Sequence, residues 1–391
     1  AGSLTFRSGR IALANRSLRL AVGRRYASEP EAERALHSML AGFFNRRGPT
    51  ERTLGELPYP LMKAAEWQAL ATLLALPAYL VPTWPRRPGE VRRFWARVEA
   101  ESPIRMGTAM APILAADPLD PAVARAATVL LYEFRHYAEA ERLAGRWAAR
   151  LRVDRSPELP AALHLLAAAR TQLGDLEGAL AIYREEEDLA RAAGADATVE
   201  FAWQGQALIA LERGELDRAE ALFGKIETYA ARGQRDAMAA VALDNQALIR
   251  LKRGDAARAL DFHERAEPLF QAAGDETGVA RSLGNRGTIL LQLGRLPEAT
   301  AAYQAAAEWF RRLGDRQHVV ATLINLTTVA AKAGDAEGQL DALSALTEAY
   351  RSLKDGPAAL KTLQERGNLL FQRKSFEEAL AVCREHAELA R

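Results

Sequence analysis

Glycine recurs at a fixed interval through the last two thirds of the chain. Gly174, Gly214, Gly254, Gly294 and Gly334 lie 40 residues apart, and Lys374 holds the sixth place. A polar residue follows each: Asp175, Glu215, Asp255, Arg295, Asp335 and Ser375. A second series runs half a period away, with Gly194, Gly274 and Gly314, and with Arg232-Gly233 and Lys354-Asp355 in the same role. Turns therefore recur about every 20 residues, separated by Ala- and Leu-rich stretches whose apolar residues are spaced three and four apart, the helical signature. A glycine after the last helical turn can take the left-handed conformation that closes a helix, and an acidic residue behind it favours the start of the next. Each period is thus helix, turn, helix, turn. Such a pair cannot bury its apolar stripe alone, so it must stack on neighbours.

Finer positions repeat as well. Early in each first helix a large apolar place holds Leu163, Trp203, Leu243, Leu283, Leu323 and Leu363, and four residues on comes a small one: Ala167, Ala207, Ala247, Gly287, Thr327 and Gly367. The second helices place Ala179, Ala219, Ala259, Ala299 and Ala379 in register, with Gln339 the exception, followed four residues on by Tyr183, Phe223, His263, Tyr303, Leu343 and Cys383. This pattern matches the tetratricopeptide consensus. Its 40-residue period resembles the long variant of the kinesin light chains and the Leu-Gly-Asn family rather than the ordinary 34. Those families set an Asn two residues before the small residue of the first helix, and Asn245, Asn285 and Asn325 stand there; Gly205 and Glu365 break the ladder at its ends. A degenerate unit, with helices near 121–134 and 138–150 and its glycine replaced near Phe134-Arg135, precedes the rest. The expectation is an all-α fold: a small helical front domain, then a right-handed superhelix of six clear repeats plus one degenerate, over 117–391.

The first 116 residues do not repeat. Leu4–Arg7 alternates like a strand, Leu18–Tyr26, Glu31–Phe44 and Leu61–Leu76 read as helices, and Pro77 to Pro88 reads as a turn-rich joint. Glu56-Leu57-Pro58-Tyr59-Pro60-Leu61, Ala65-Glu66-Trp67-Gln68-Ala69-Leu70 and Glu90-Val91-Arg92-Arg93-Phe94-Trp95 resemble the helical segment that follows the ATPase of NACHT-type STAND signalling proteins; Leu4–Ser8 and Ala35–Phe44 resemble the end of the winged-helix module before it. The resemblance implies a winged-helix-like remnant over 1–48, a helical linker domain over 49–116, and an ATPase or effector upstream in a longer protein, of which this chain would be the sensor arm. No G-x-x-x-x-G-K-[S/T] occurs in the chain; Gly224-Lys225 lacks both the upstream glycine and the following hydroxyl. The phosphate cradle of an ATPase is therefore not carried over.

Little else offers chemistry. Cys383 and His386 lie three apart on one helix face, a spacing two metal ligands can use, but no second pair accompanies them, and Cys383 falls where sister repeats put core residues. Glu185-Glu186-Glu187 reads as a solvated charge run. The expectation is a non-enzymatic chain without cofactor or metal. The single cysteine fits a reducing cytoplasm, and no apolar run approaches the roughly 18 residues of a membrane helix. Net charge is +2, with +8 in the first 100 residues (16 Lys/Arg against 8 Asp/Glu). The repeats lack the continuous basic track with stacking aromatics that nucleic acid wants.

The Asn ladder carries the functional reading. In the long-repeat family this Asn faces the concave groove, where its amide offers donor and acceptor to a peptide backbone; the alternative is that it bonds neighbouring helices and holds the curvature. Around it Gln204 and Asp244 stand one residue before the Asn position, Glu212, Lys252, Gln292 and Lys332 seven residues after, and Phe201, Arg281 and Lys361 at the groove edge. The expected partner is a protein or peptide lying in that groove. Two other readings stay open: a peptide-responsive transcription regulator, and a passive scaffold.

Overall fold

The computed structural model describes residues 4–7, 10–13, 29–47, 50–353 and 355–390. The expected helix Leu18–Tyr26 lies outside them. The chain divides into two compact units, residues 1–186 and 187–391.

The first unit opens with an antiparallel hairpin, β1 (Leu4–Arg7) and β2 (Arg10–Leu13), with Leu4 opposite Leu13 and Phe6 opposite Ile11. Sequence reading anticipated only the first of these strands. Helix α1 (Pro30–Asn45) occupies the expected place, with Pro30 at its start. Short helices follow: α2 (Glu51–Glu56), α3 (Pro58–Lys63), α4 (Trp67–Leu74), α5 (Pro77–Thr83), α6 (Pro88–Glu101), α7 (Met106–Ala109) and α8 (Ala111–Ala115). Two expectations change here. The single helix drawn over Leu61–Leu76 is broken, because Ala65 adopts a left-handed φ of 59° and closes α3 before α4 begins. The proline-rich joint contains a helix, since Pro77 sits in the first turn of α5, where its missing N–H costs nothing. These helices share one core with α9 (Pro121–Glu133) and α10 (Tyr137–Val153), centred on Leu70, Leu74, Tyr79, Trp95, Met106 and Leu130.

From α9 onward the chain is helix pairs: α11 (Leu159–Gln172) and α12 (Leu176–Ala192), then, in the second unit, α13 (Asp196–Glu212), α14 (Leu216–Arg232), α15 (Asp236–Lys252), α16 (Ala256–Ala272), α17 (Glu276–Gln292), α18 (Leu296–Leu313), α19 (Arg316–Ala333), α20 (Ala336–Ser352), α21 (Gly356–Gln372) and α22 (Phe376–Leu389). In the second unit each helix from α14 on packs on the one before it, which makes that unit an α-solenoid. The turns of the 40-residue series close the same way. Gly174 takes φ 85°, its N–H bonds Thr171 O at 3.1 Å, and the Asp175 N–H reaches back to Arg170 O at 3.0 Å. This is the six-to-one closure that satisfies carbonyls left over at a helix end. It recurs as Glu215 to Ala210, Asp255 to Arg250, Arg295 to Leu290, Asp335 to Ala330 and Ser375 to Leu370. Asp255, Asp275, Asp315, Asp335 and Asp355 then accept a backbone N–H from the first turn of the next helix. The acidic residues therefore act as direct caps, beyond the field effect read from sequence.

The half-period turn at Arg232-Gly233 differs by one residue. Gln234, at φ 53°, takes the left-handed place, while Gly233 sits at −87°. Arg235 N–H closing on Ala230 O sets that register. The small first-helix residue has the expected use at Gly287, where an added methyl would lie 2.9 Å from the Tyr303 ring.

Two side-chain expectations fail. Cys383 is exposed rather than core. Its sisters Phe223, His263, Tyr303 and Leu343 are buried, each with a following repeat behind it, and none follows α22 among the described residues. The acidic run is not a solvated face: Glu185 pairs with Arg152, Glu187 accepts from Trp203 Nε1 at 2.7 Å and Gln206 Nε2 at 2.6 Å, and Glu186 is buried. Sister repeats place Ile226, Ala266, Ala306 and Leu346 where Glu186 stands. Burial pushes its carboxyl above the ordinary carboxylate range, while the hydrogen bond from His164 pulls the other way.

Left-handed φ costs a non-glycine residue about 1–2 kcal/mol, part of which glycine returns as unfolded-chain entropy. Lys374→Gly should therefore stabilise by about 0.5 kcal/mol, and Gly254→Ala should destabilise by about 1 kcal/mol; urea midpoints of the two variants measure both. A carboxyl whose folded pKa lies above its unfolded one costs stability once ionised, and the cost vanishes below the unfolded value. Glu186→Gln should raise the melting temperature at pH 7, and the gain should fade as pH falls toward about 4.3 and be gone below it.

Candidate functional site

In the second unit the first helix of each pair, α13, α15, α17, α19 and α21, keeps one stripe uncovered. On α13 the stripe is Phe201, Gln204, Leu208 and Glu212; on α15 it is Val241, Asn245, Leu248 and Lys252; later helices continue with Arg281, Asn285 and Gln292, with Ile324, Asn325 and Lys332, and with Lys361. The spacing of three and four puts these residues on one helix side, and the 40-residue period brings the same side round in each pair.

The ladder amides are placed as follows. Asn245 is half-buried and donates through Nδ2 to Val241 O at 2.8 Å, on its own helix. Asn325 is half-buried and Asn285 exposed. None of the three bonds a neighbouring helix among the described residues. The cross-helix polar bonds lie elsewhere. Glu187, Glu227 and Glu267, 40 residues apart on second helices, accept from Gln206, Gln246 and Arg286 on the following first helices at 2.6, 2.8 and 2.7 Å. Sequence reading missed these rungs, although the 40-residue recurrence of the three glutamates was a visible signal.

Asp244 is the expected residue that lies deepest. It is 8% exposed, with Oδ1 2.8 Å from His263 Nδ1 and Oδ2 3.5 Å from Arg281 Nε. The His263 contact is one of proximity, since Oδ1 lacks an aligned donor and Nδ1 also lies 3.2 Å from Ser282 Oγ. This Asp-His-Ser grouping is no nucleophilic triad: both partners meet the same imidazole nitrogen, so the ring cannot pass a proton between them. Arg281 is thereby tethered at the stripe's edge. Lys252, Lys332 and Lys361 are exposed and meet no carboxylate among the described residues. Glu212 and Gln292 are exposed at helix ends.

The structure gathers Phe201 and Gln204 into one cleft of about 670 Å³ between α13 and α15, with Met238 and Val241 on the opposite wall. Its base holds a pair that sequence reading did not find. Glu200, fully buried, receives both Nε (2.9 Å) and Nη2 of Arg235. A bidentate guanidinium–carboxylate pair is among the stronger charged contacts available to a protein. Hydrogen bonding to Glu200 raises the Arg235 pKa further above its ordinary value. No described helix is long and apolar enough to cross a membrane, and no group of three His, Cys, Asp or Glu suited to a metal occurs among the described residues.

Removing the guanidinium should leave a buried carboxylate without its partner. Arg235→Gln is expected to cost about 2 kcal/mol or more, whereas Lys252→Gln, on the open stripe, should stay within about 0.5 kcal/mol of wild type; chemical denaturation of both variants checks this.

Residues 278–355 match the tetratricopeptide-repeat family model. No curated protein matches the sequence. Among solved structures, a STAND signal-transduction ATPase with a tetratricopeptide-repeat sensor from Pyrococcus horikoshii is similar over 99% of this chain and 57% of its own, at 13% identity and a TM-score of 0.57. The apo quorum sensor NprR from B. thuringiensis is similar over 92% of this chain and 98% of its own, at 13% identity and a TM-score of 0.53. A Rap protein complexed with Competence and Sporulation Factor is similar over 93% and 98%, at 12% identity and a TM-score of 0.52. At these identities the likeness is one of fold. Residues 278–355 are tetratricopeptide repeats, and the helix pairs on either side keep their period and their turn geometry.

Proposed function

We propose that this chain is a non-catalytic, polypeptide-binding region that acts in the cytoplasm as the sensor arm of a STAND-type signalling protein. The observation that carries the binding reading is the open stripe: three amides at one repeat spacing, none spent on a neighbouring helix, flanked by exposed apolar and lysine side chains. Such a row can pair with main-chain groups of an extended or helical segment whatever its sequence, while residues beside it choose among segments. The sensor role has a separate support, the fold shared over nearly the whole chain with a STAND protein that carries a repeat sensor. A bound segment would bias an attached effector only by contacting its two states differently.

A random dodecapeptide display library panned on the full chain tests the reading. Selected peptides should bind wild type and lose about tenfold or more against the triple variant Asn245→Ala/Asn285→Ala/Asn325→Ala, whose melting curve should match wild type because these amides hold no helix pair together. Full affinity in a folded triple variant would return the ladder to a scaffold role, and a library that enriches nothing would sink the binding reading.

A further inference from the structure

The cleft between α13 and α15 stands where the sequence departs from its own repeat. At the place of Glu200 the other pairs of the second unit carry Ala240, Ala280, Val320 and Leu360; at the place of Arg235 the three later pairs carry Asp275, Asp315 and Asp355, each of which caps its helix, and the α13 pair carries an uncapping Ala195. Here the cap is given up, for α15 has no side-chain cap, and a buried ion pair replaces an apolar contact. Both exchanges sacrifice local stability. Departures of this kind concentrate where a site is being built.

We propose that this cleft is the specificity pocket of the groove and receives one large, uncharged apolar side chain, aromatic or long aliphatic, of the bound polypeptide. The inference rests on the polypeptide-binding reading above. The walls fit such an occupant: Phe201 leaves 45% of its surface open, Met238 and Val241 are half-buried, and Ala197 and Ala237 leave room between them. A flexible thioether and a ring edge adapt well to another apolar group. The charges decide against an acidic occupant. Glu200 and Arg235 neutralise each other at the base, and Asp236 at the wall leaves the cleft with one net negative charge. Gln204 and Gln234 line the same cleft, and their amides can pair with main-chain groups of the occupant. The ladder adjoins the pocket one helical turn away, for Asn245 Nδ2 bonds the carbonyl of Val241, a wall residue. Glu200 and Arg235 are positioning residues: they tie α13 to the start of α15 and meet the occupant only from below.

The test uses the same display library on the full chain. Selected dodecapeptides should share one Phe, Trp, Tyr, Leu, Ile or Met position, with Asp and Glu depleted beside it. Replacing that residue by Ala should weaken binding at least about tenfold. Ala237→Trp, which fills the cleft from an exposed wall position, should weaken binding to a similar extent with an unchanged melting curve, and repeated panning on it should lose the apolar consensus. Ala197→Phe fills the cleft from the opposite wall and serves where Ala237→Trp does not fold. Enriched peptides that respond to the Asn triple variant but lack the apolar position, or bind the filled variants as tightly as wild type, would overturn the pocket and leave the groove reading standing. A library that enriches nothing overturns both.

Discussion

One backbone hydrogen bond organises this molecule: the amide just past each helix end reaches back over a left-handed residue to a carbonyl five positions earlier. It fixes where each helix stops, and with equal spacing it fixes the length of helix presented to the next pair. Asp175 to Arg170, Glu215 to Ala210 and Asp255 to Arg250 are copies of the same closure at 2.8–3.0 Å. Because the turn leaves few backbone groups unsatisfied, it need not be buried. The pairs can then stack with their loops in solvent and spend apolar surface on neighbours alone. The same geometry tolerates Gln234 and Lys374 at its left-handed position, where the closing bond and the packing on either side offset the local strain.

That division of labour explains what the first helices can offer. A second helix is covered by the first helix of the next pair, so its polar groups must find partners there. Glu187, Glu227 and Glu267 do so, through Gln206, Gln246 and Arg286. The outer stripe of a first helix has no such duty. Asn285 and Asn325 can leave their amides to water at almost no cost, because a wet amide is already satisfied. A peptide that later displaces the water exchanges one set of hydrogen bonds for another, and the net gain must come from apolar burial and from charge. On this account an apolar anchor next to the ladder is what turns a sequence-neutral grip into a selective one.

Much of this was legible in the sequence. Glycine spacing gave the turns, and the alternation of Trp203 or Leu243 with Ala207 or Ala247 gave the helix faces that pack. Those features repeat, and repetition averages out the accidents of any one position. The misreadings fall where a residue acts once. Ala65 breaks a helix that composition favours, because a left-handed non-glycine residue carries no local signal. Glu186 reads like its charged neighbours, but the helix rotation that leaves Glu185 half-buried turns Glu186 inward beside His164. Cys383 holds a core register on a helix with no described neighbour behind it. Asp244 shares a repeat position with Gln204, yet it is buried, beside His263 and within reach of Arg281.

The Glu200–Arg235 pair belongs to a different class, because its two members are visible only as departures from the repeat. A buried carboxylate in a row of Ala, Val and Leu and a lost Asp cap 35 residues later are each unremarkable alone. Distance makes them one event. An ion pair buried at one side usually contributes less to stability than the apolar contact it replaces, so packing alone would have kept the alanine and the cap. What the pair does supply is direction: a bidentate guanidinium fixes the angle as well as the separation of the two groups it joins. The pair joins α13 to the start of α15 at the base of the open, partly apolar cleft.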